Sequence, residues 1–130
     1  SQAIASSQTL EGRDSLLGEI AAGRHLATLA LSEKGSRSQF WAPVSKLERD
    51  TNGGFSTSGT KSWVTSAEHA DSLVASALMP GAGSALESTL YLLRKGSTGL
   101  RIAGRFEGLG PKLMKMWLKV KSGCTCARRT

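Results

Sequence analysis

The sequence predicts a mainly β fold, a small antiparallel barrel or sandwich preceded by one helix. Three observations carry this expectation. Glycine is abundant, at 15 of 130 residues, while aromatic residues make up only 5%, a composition of many turns rather than of a helix bundle. Short apolar runs recur between turn signals at roughly 8–12-residue spacing, the rhythm of all-β sandwiches and barrels. The tetrapeptide Thr51-Asn52-Gly53-Gly54 supplies the positive φ angles that a tight hairpin needs.

The elements follow in order. Leu10, Leu16, Leu17, Ile20 and Ala21 recur at helical spacing and predict a helix over 8–22. Thr9 and Ser15 are the candidate caps, Glu11 and Asp14 suit the first turn, and Gly23 suits the stop. Leu26–Leu31 reads as a buried strand with little polar relief, and Gly35–Arg37 as a loop. Phe40–Val44 and Ser45–Asp50 are short strand candidates on the way to the hairpin, and Phe55–Thr65 is the return strand. Gly59 within it marks a bulge or a close backbone approach. Strands are then expected over Asp71–Met79, Ser88–Arg94 and Leu100–Phe106, with turns at Pro80–Ser84 and Gly96–Gly99. Lys112–Lys121 reads either as a short basic amphipathic helix, with Leu113, Met116, Trp117 and Val120 on one side, or as an unstructured end. No internal repeat is present.

Length and composition bound the function. A chain of 130 residues is one domain or part of one, and its opening on Ser1 without Met suggests a fragment or a processed piece. No run of about 18 apolar residues predicts a membrane span, and no basic segment followed by an apolar one predicts a signal peptide. The net charge of +7 invites nucleic acid as a partner, but its distribution argues against it. Residues 111–130 hold six Lys/Arg and no acid, whereas residues 1–110 hold eleven Lys/Arg against ten Asp/Glu. Both cysteines, Cys124 and Cys126, lie in the basic end. Two soft ligands without a neighbouring histidine do not complete a tetrahedral zinc site, so no metal is expected. A body free of cysteine fits a reducing, cytoplasmic setting.

Several motifs fail on context. Gly54–Ser62 approaches a phosphate loop, but Thr60 stands where the lysine belongs, and the segment lies inside a strand. Gly81-Ala82-Gly83 lacks the third glycine and the helix of a dinucleotide fingerprint. His25 and His69 form no recognisable catalytic set with a serine and an acid.

Two segments stand out: Leu31-Ser32-Glu33-Lys34-Gly35-Ser36-Arg37-Ser38 and Gly59-Thr60-Lys61-Ser62-Trp63-Val64-Thr65. Each ends a strand with hydroxyls, and the second sets an indole two residues before one. Together they suit a flavin. Trp63 would cover a ring face, and Ser32 and Thr65 would donate to the ring's polar edge.

These residues resemble the middle β-domain of the acyl-CoA dehydrogenase family over about residues 8–110. The family reads roughly L-T-E-P-x-A-G-S-D at the end of its first central strand, where this chain has Leu31 to Gln39. Its N-G-x-K-x-W-I-T strand corresponds to Ser58–Thr65. Ala70-Asp71, Leu73-Val74-Ala75, Gly99–Ile102 and Leu109-Gly110 follow in the family's order. The resemblance implies an FAD-dependent oxidoreductase that removes hydrogens from the α and β carbons of an acyl-CoA. It implies a cofactor-contact set of Leu31, Ser32, Arg37, Ser38, Trp63, Val64 and Thr65. Ser32 matches a contact to the flavin pyrimidine edge, and Ser38 the entrance shared with the acyl-CoA substrate. Trp63 matches the indole against the isoalloxazine, Val64 the next backbone contact, and Thr65 the hydroxyl near the reactive nitrogen.

Departures are also visible. Lys34 replaces the family proline, Arg37 the glycine before Ser38, and Gln39 the aspartate. Arg37 either blocks close backbone approach to the pyrophosphate or substitutes a direct contact to phosphate. Residues 111–130 do not follow the family's reading. They suggest a divergent, truncated or frame-altered end.

The expected organisation is 1–24 as the end of a preceding helical domain, 25–110 as the flavin and acyl-CoA-binding domain, and 111–130 as a basic divergent tail. No catalytic base is expected within the chain, because the family supplies it from a further helical domain. That domain and a homo-oligomeric neighbour would complete the site. Two alternatives stay open: a related flavin monooxygenase or nitroalkane-oxidase-like enzyme, and a non-catalytic remnant with a basic interaction tail.

Overall fold

The computed structural model describes residues 2–33, 35–36, 39, 41–51, 53–105, 113–120 and 125–127. Two helices lead: α1 (Gln2–Ala5) and α2 (Arg13–Ala21). Eight strands follow: β1 (Ala27–Ala30), β2 (Leu47–Arg49), β3 (Phe55–Thr65), β4 (Ser72–Leu78), β5 (Ser88–Arg94), β6 (Leu100–Arg105), β7 (Leu113–Val120) and β8 (Thr125–Ala127). They form two open four-stranded sheets, ordered β1-β4-β5-β8 and β2-β3-β7-β6. The β-rich architecture expected from the sequence is the one observed, as a sandwich rather than a closed barrel. Among the described strands one pairing departs from antiparallel order: β1 runs parallel to β4, with Ala27 opposite Ser72 and Ala30 opposite Ala75, and an isolated bridge from Lys46 to Leu78 is also parallel.

The core lies between the sheets. Ala30, Leu47, Val64, Leu73, Ala75, Ala77, Tyr91 and Leu93 are buried together, with Phe55, Leu100 and Ile102 packed against them. Each large aliphatic side chain there contributes about 1.5–3 kcal/mol by leaving water. A second cluster covers the outer face of the first sheet, where Ile4 and Leu16 of the helices meet Val74 and Leu92. β4 is therefore buried on both faces from Ser72 to Ala77, which explains its continuous run of small and apolar residues.

The helix expected over 8–22 is shorter, and it is not the first. Ser7 separates α1 from α2: its hydroxyl accepts from the Leu10 amide at 3.1 Å, and its carbonyl accepts from the Arg13 guanidinium at 2.9 Å. Gly12, with φ of 68°, stands at the N-cap in place of Thr9 or Ser15 and gives no side-chain cap. At the other end Gly23 adopts φ of 73°. The Gly23 amide donates to the Ile20 carbonyl and the Arg24 amide to the Glu19 carbonyl, the paired bonds of a glycine-terminated helix.

Two further expectations are corrected. Residues 41–44 form no strand, Phe40 lying outside the described residues, and the strand before the hairpin is Leu47–Arg49 alone. Residues 113–120 are neither a helix nor an unstructured end. They form β7, which pairs with β3 on one side and β6 on the other. Lys112 and Lys121, the limits of the expected helix, lie outside the described residues, as does Asn52 of the hairpin. Gly53 shows the positive φ of 79° expected there, and the Asp50 amide donates to the Gly54 carbonyl across the turn.

Gly59 is a close approach. A Cβ at this position would lie 2.9 Å from Ser45 Cβ, a stiff atom next to the backbone. Gly59→Ala is expected to destabilise the fold by about 1–3 kcal/mol, the cost of overpacking a filled core. A shift of the urea midpoint with an unchanged slope is the measurement that checks it.

Candidate functional site

The end of β1 and the end of β3 lie side by side. The Ser62 amide donates to the Ser32 carbonyl at 2.8 Å, Glu33 and Lys61 pair as an antiparallel bridge, and the Thr28 hydroxyl donates to the Thr65 carbonyl at 2.8 Å. The two segments singled out in the sequence, some thirty residues apart, thus share one surface. Leu31 and Ser32 are half-buried in it, and Thr65 is exposed. Val64 turns into the core at 0% exposure, while Trp63 is 58% exposed, so only the backbone of Val64 belongs to the surface. Arg37 and Ser38 lie outside the described residues.

The backbone at Trp63 is unusual. Its φ is 60°, and that of Ser66 is 53°, a region that costs an L-residue about 1–2 kcal/mol. The strain coincides with a bulge. Between Lys61 and Val64 the strand advances three residues, while its partner β7 advances only two, from Met116 to Met114. The extra residue in such a bulge re-aims a side chain.

Behind this surface lies a buried ion pair that the sequence reading did not assign. Lys61 is 0% exposed and Glu33 7%. The Lys61 ammonium donates to Glu33 Oε1 and to the Ser76 carbonyl of β4. Glu33 Oε2 accepts from the Val44 and Ser45 amides, the latter at 2.9 Å, and the Ser45 hydroxyl donates to Oε1. The pair thus also satisfies neighbouring backbone groups: the Val44 and Ser45 amides on the carboxylate side, and on the ammonium side the Ser76 carbonyl, which also accepts from the Ser45 hydroxyl at 3.3 Å. A lysine inside a strand reads as solvent-facing, so the only sequence signal was its company: Gly59 two residues before, and a glutamate directly after Ser32.

Burial alone would push the Glu33 carboxyl up, but the hydrogen bonds from Lys61 and Ser45 outweigh it and hold the group below its usual range. Burial likewise pulls Lys61 below the usual lysine range, with the Glu33 contact offsetting part of the shift. The sign for stability follows from Glu33. In acid the unfolded chain takes up this proton before the folded one. The stabilisation is present above the ordinary glutamate range and is lost as pH falls through the lowered folded value. Acid titration of the Glu33→Gln variant is expected to remove this component of the pH dependence, read as a flatter plot of urea midpoint against pH.

Among the described residues no group of His, Cys, Asp and Glu is placed to hold a metal ion, and no helix is long and apolar enough to cross a membrane. The Gly81–Gly83 segment is a turn leading to a single 3₁₀ turn, Ala85–Glu87, closed by a reciprocal Ser84–Glu87 cap.

Known proteins resemble the chain in both sequence and fold. It is 28% identical over 102 residues to the mitochondrial isovaleryl-CoA dehydrogenase of Arabidopsis thaliana, covering 78% of this chain and 25% of that protein. The corresponding protein of Oryza sativa subsp. japonica is 31% identical over 94 residues, 72% of this chain and 23% of the relative. The chain is a relative of the acyl-CoA dehydrogenases. It spans about a quarter of the length of the curated relatives it matches. No protein-family model matches it.

Solved structures carry the same fold at lower identity. An FAD-dependent dehydrogenase superposes with a TM-score of 0.84 at 20% identity, over 98% of this chain and 36% of its own. A glutaryl-CoA dehydrogenase in complex with glutaryl-CoA gives 0.82 at 17% identity, over 98% of this chain and 33% of its own. An acyl-CoA dehydrogenase of Bacillus anthracis complexed with FAD gives 0.79 at 22% identity, over 92% of this chain and 22% of its own. The shared fold reaches past residue 110, where the acyl-CoA dehydrogenase motifs of the sequence end.

Proposed function

We propose that this chain is the flavin-facing β-domain of an acyl-CoA dehydrogenase-type oxidoreductase. It would bind FAD across the ends of β1 and β3, with an acyl-CoA entering beside Ser38. The observation that carries the reading is the juxtaposition of Leu31-Ser32 with Trp63-Val64-Thr65, an exposed indole held at positive φ beside hydroxyl-bearing residues. These groups fit an isoalloxazine: a flat apolar cover and short polar side chains along one edge. Bound FAD supplies the hydride acceptor for α,β-dehydrogenation. The chain's own part is to bind and orient that ring, with Trp63 covering a face, Ser32 and Thr65 donating at its edge, and Arg37 and Ser38 meeting phosphate and substrate.

The carboxylate base belongs to a helical domain beyond this segment. Glu33 is committed to Lys61, Val44 and Ser45 and is not available for that role. Residues 1–24 end a preceding helical domain, the binding domain begins at 25 and takes in β7 beyond the expected limit of 110, and a homo-oligomer completes the site in the whole protein. The cytoplasmic setting rests on cysteine placement alone; the plant relatives are mitochondrial by name. Lys115 and Lys119 belong to β7, which lies between two strands, and this disfavours a free interaction tail over 113–120.

The test is an FAD titration of the purified chain, followed by flavin absorbance and fluorescence with and without an acyl-CoA. Saturable binding with a perturbed flavin spectrum supports the proposal. A folded chain that leaves the spectrum unchanged, even with the helical domains supplied, rejects it.

A further inference from the structure

The burial pattern of β3 poses a question that flavin contacts do not answer. In an unbulged strand alternate side chains share a face. With Val64 inward, Lys61 and Trp63 would then lie together on the outer face, the ordinary place for a lysine. Instead Lys61 and Val64 are both at 0% exposure, which requires one extra residue between them. That residue is supplied at Ser62-Trp63, where β3 gains on β7 and φ of Trp63 turns positive. Solvent gives no reason to draw the ammonium inward. Glu33 does, with the Ser76 carbonyl as a second acceptor. Glu33 is itself anchored by Val44 and Ser45, so the pull comes from a fixed point.

We infer that Glu33 and Lys61 are positioning residues: their buried pair maintains the bulge in β3 and thereby sets the angle at which the Trp63 indole is presented. The part concerning the flavin rests on the function proposed above. The part concerning the bulge does not. The pair is buried behind the surface and acts through the backbone that joins Lys61 to Trp63 and Glu33 to Ser32. Loss of the carboxylate charge would release Lys61 toward solvent, let the extra residue be absorbed, and return Trp63 to negative φ.

The experiment is Glu33→Gln in a Trp41→Phe/Trp117→Phe background, which leaves Trp63 as the reporting indole. The variant, shown folded by circular dichroism, is expected to shift the Trp63 emission and acrylamide quenching, and to bind FAD at least tenfold more weakly. A folded variant with unchanged emission, quenching and FAD affinity overturns the inference, leaving the pair merely structural. Shifted Trp63 signals in a protein whose unmutated form binds no FAD even with the helical domains supplied would uphold the positioning role and reject the flavin reading. A second measurement needs no variant. Hydrogen exchange of the Ser62 amide, bonded to the Ser32 carbonyl, is expected to be as slow as that of the β4 core. Exchange as fast as that of exposed turns overturns the inference.

Discussion

Lys61→Met is expected to lower the stability of the fold by about 3–5 kcal/mol, the cost of removing one partner of a buried ion pair. The substitution keeps the volume and the apolar stem. What it removes is the cation facing the Glu33 carboxylate, and with it the shorter of the two bonds to the Ser76 carbonyl, which keeps that from the Ser45 hydroxyl at 3.3 Å. Glu33 keeps its bonds from the Val44 and Ser45 amides and the Ser45 hydroxyl, so the carboxylate stays in place as an unpaired charge.

Replacing both partners with apolar residues often restores stability when an ion pair has only itself to satisfy. Here it would not. The carboxylate also accepts from two backbone amides, and a buried group left without a partner costs about 1–3 kcal/mol. Urea unfolding checks both statements. The single variant should show a lower midpoint at unchanged slope, and Glu33→Leu/Lys61→Met should be no more stable than the single variant. A double variant as stable as the unmutated chain would mean that the backbone groups find other partners.

Trp63→Gly is expected to separate stability from binding. Glycine adopts φ of 60° without steric cost, so the strain at this position is relieved by about 1–2 kcal/mol. The side chain that is lost is more than half exposed and contributes little to the core. Glycine also gives the unfolded chain more freedom, at about 0.5–1 kcal/mol, so the folded state is expected to stay within about 1 kcal/mol of its former stability. FAD affinity is expected to fall by about 1–3 kcal/mol, the scale of stacking between an aromatic side chain and a flat heterocycle, or roughly five- to 150-fold. Strain at a site that stability alone would relax is the observation that motivates a functional role for Trp63. Equal FAD affinity in the two proteins, measured in one titration series, would remove Trp63 from the site.

The sequence was a good guide where local chemistry and tertiary context agree. Phe55–Thr65 and Ser88–Arg94 are strands over the residues expected, bounded by glycines and turns that leave no other choice. Gly59 marked a close approach because no side chain fits beside Ser45. Agreement failed where long-range pairing overrode local pattern. Leu113, Met116, Trp117 and Val120 are spaced as on a helix face, yet the segment lies between β3 and β6 and is extended to pair with both. The parallel pairing of β1 with β4 leaves no trace in either strand's composition. α1 is a single turn of four residues, too short for periodicity to register.

The candidate site divides in the same way. Ser32, Trp63 and Thr65 were legible as candidates because their residue types suit a flavin's face and edge. The Glu33–Lys61 pair was hidden, since a lysine in an alternating strand points outward by pattern, and only the bulge after it turns it in. Gly59 allowed for a bulge in this strand, but nothing local fixes it at Ser62-Trp63 or sets the strain at Trp63, because both depend on a partner 28 residues away.

The most direct test of the central claim is to map FAD onto the backbone by amide chemical shifts of the labelled chain during titration. The account predicts saturable shifts concentrated at residues 31–33 and 62–65, the two segments joined by the Ser62–Ser32 bond. Shifts confined to another surface, such as the turn between β4 and β5, would contradict it.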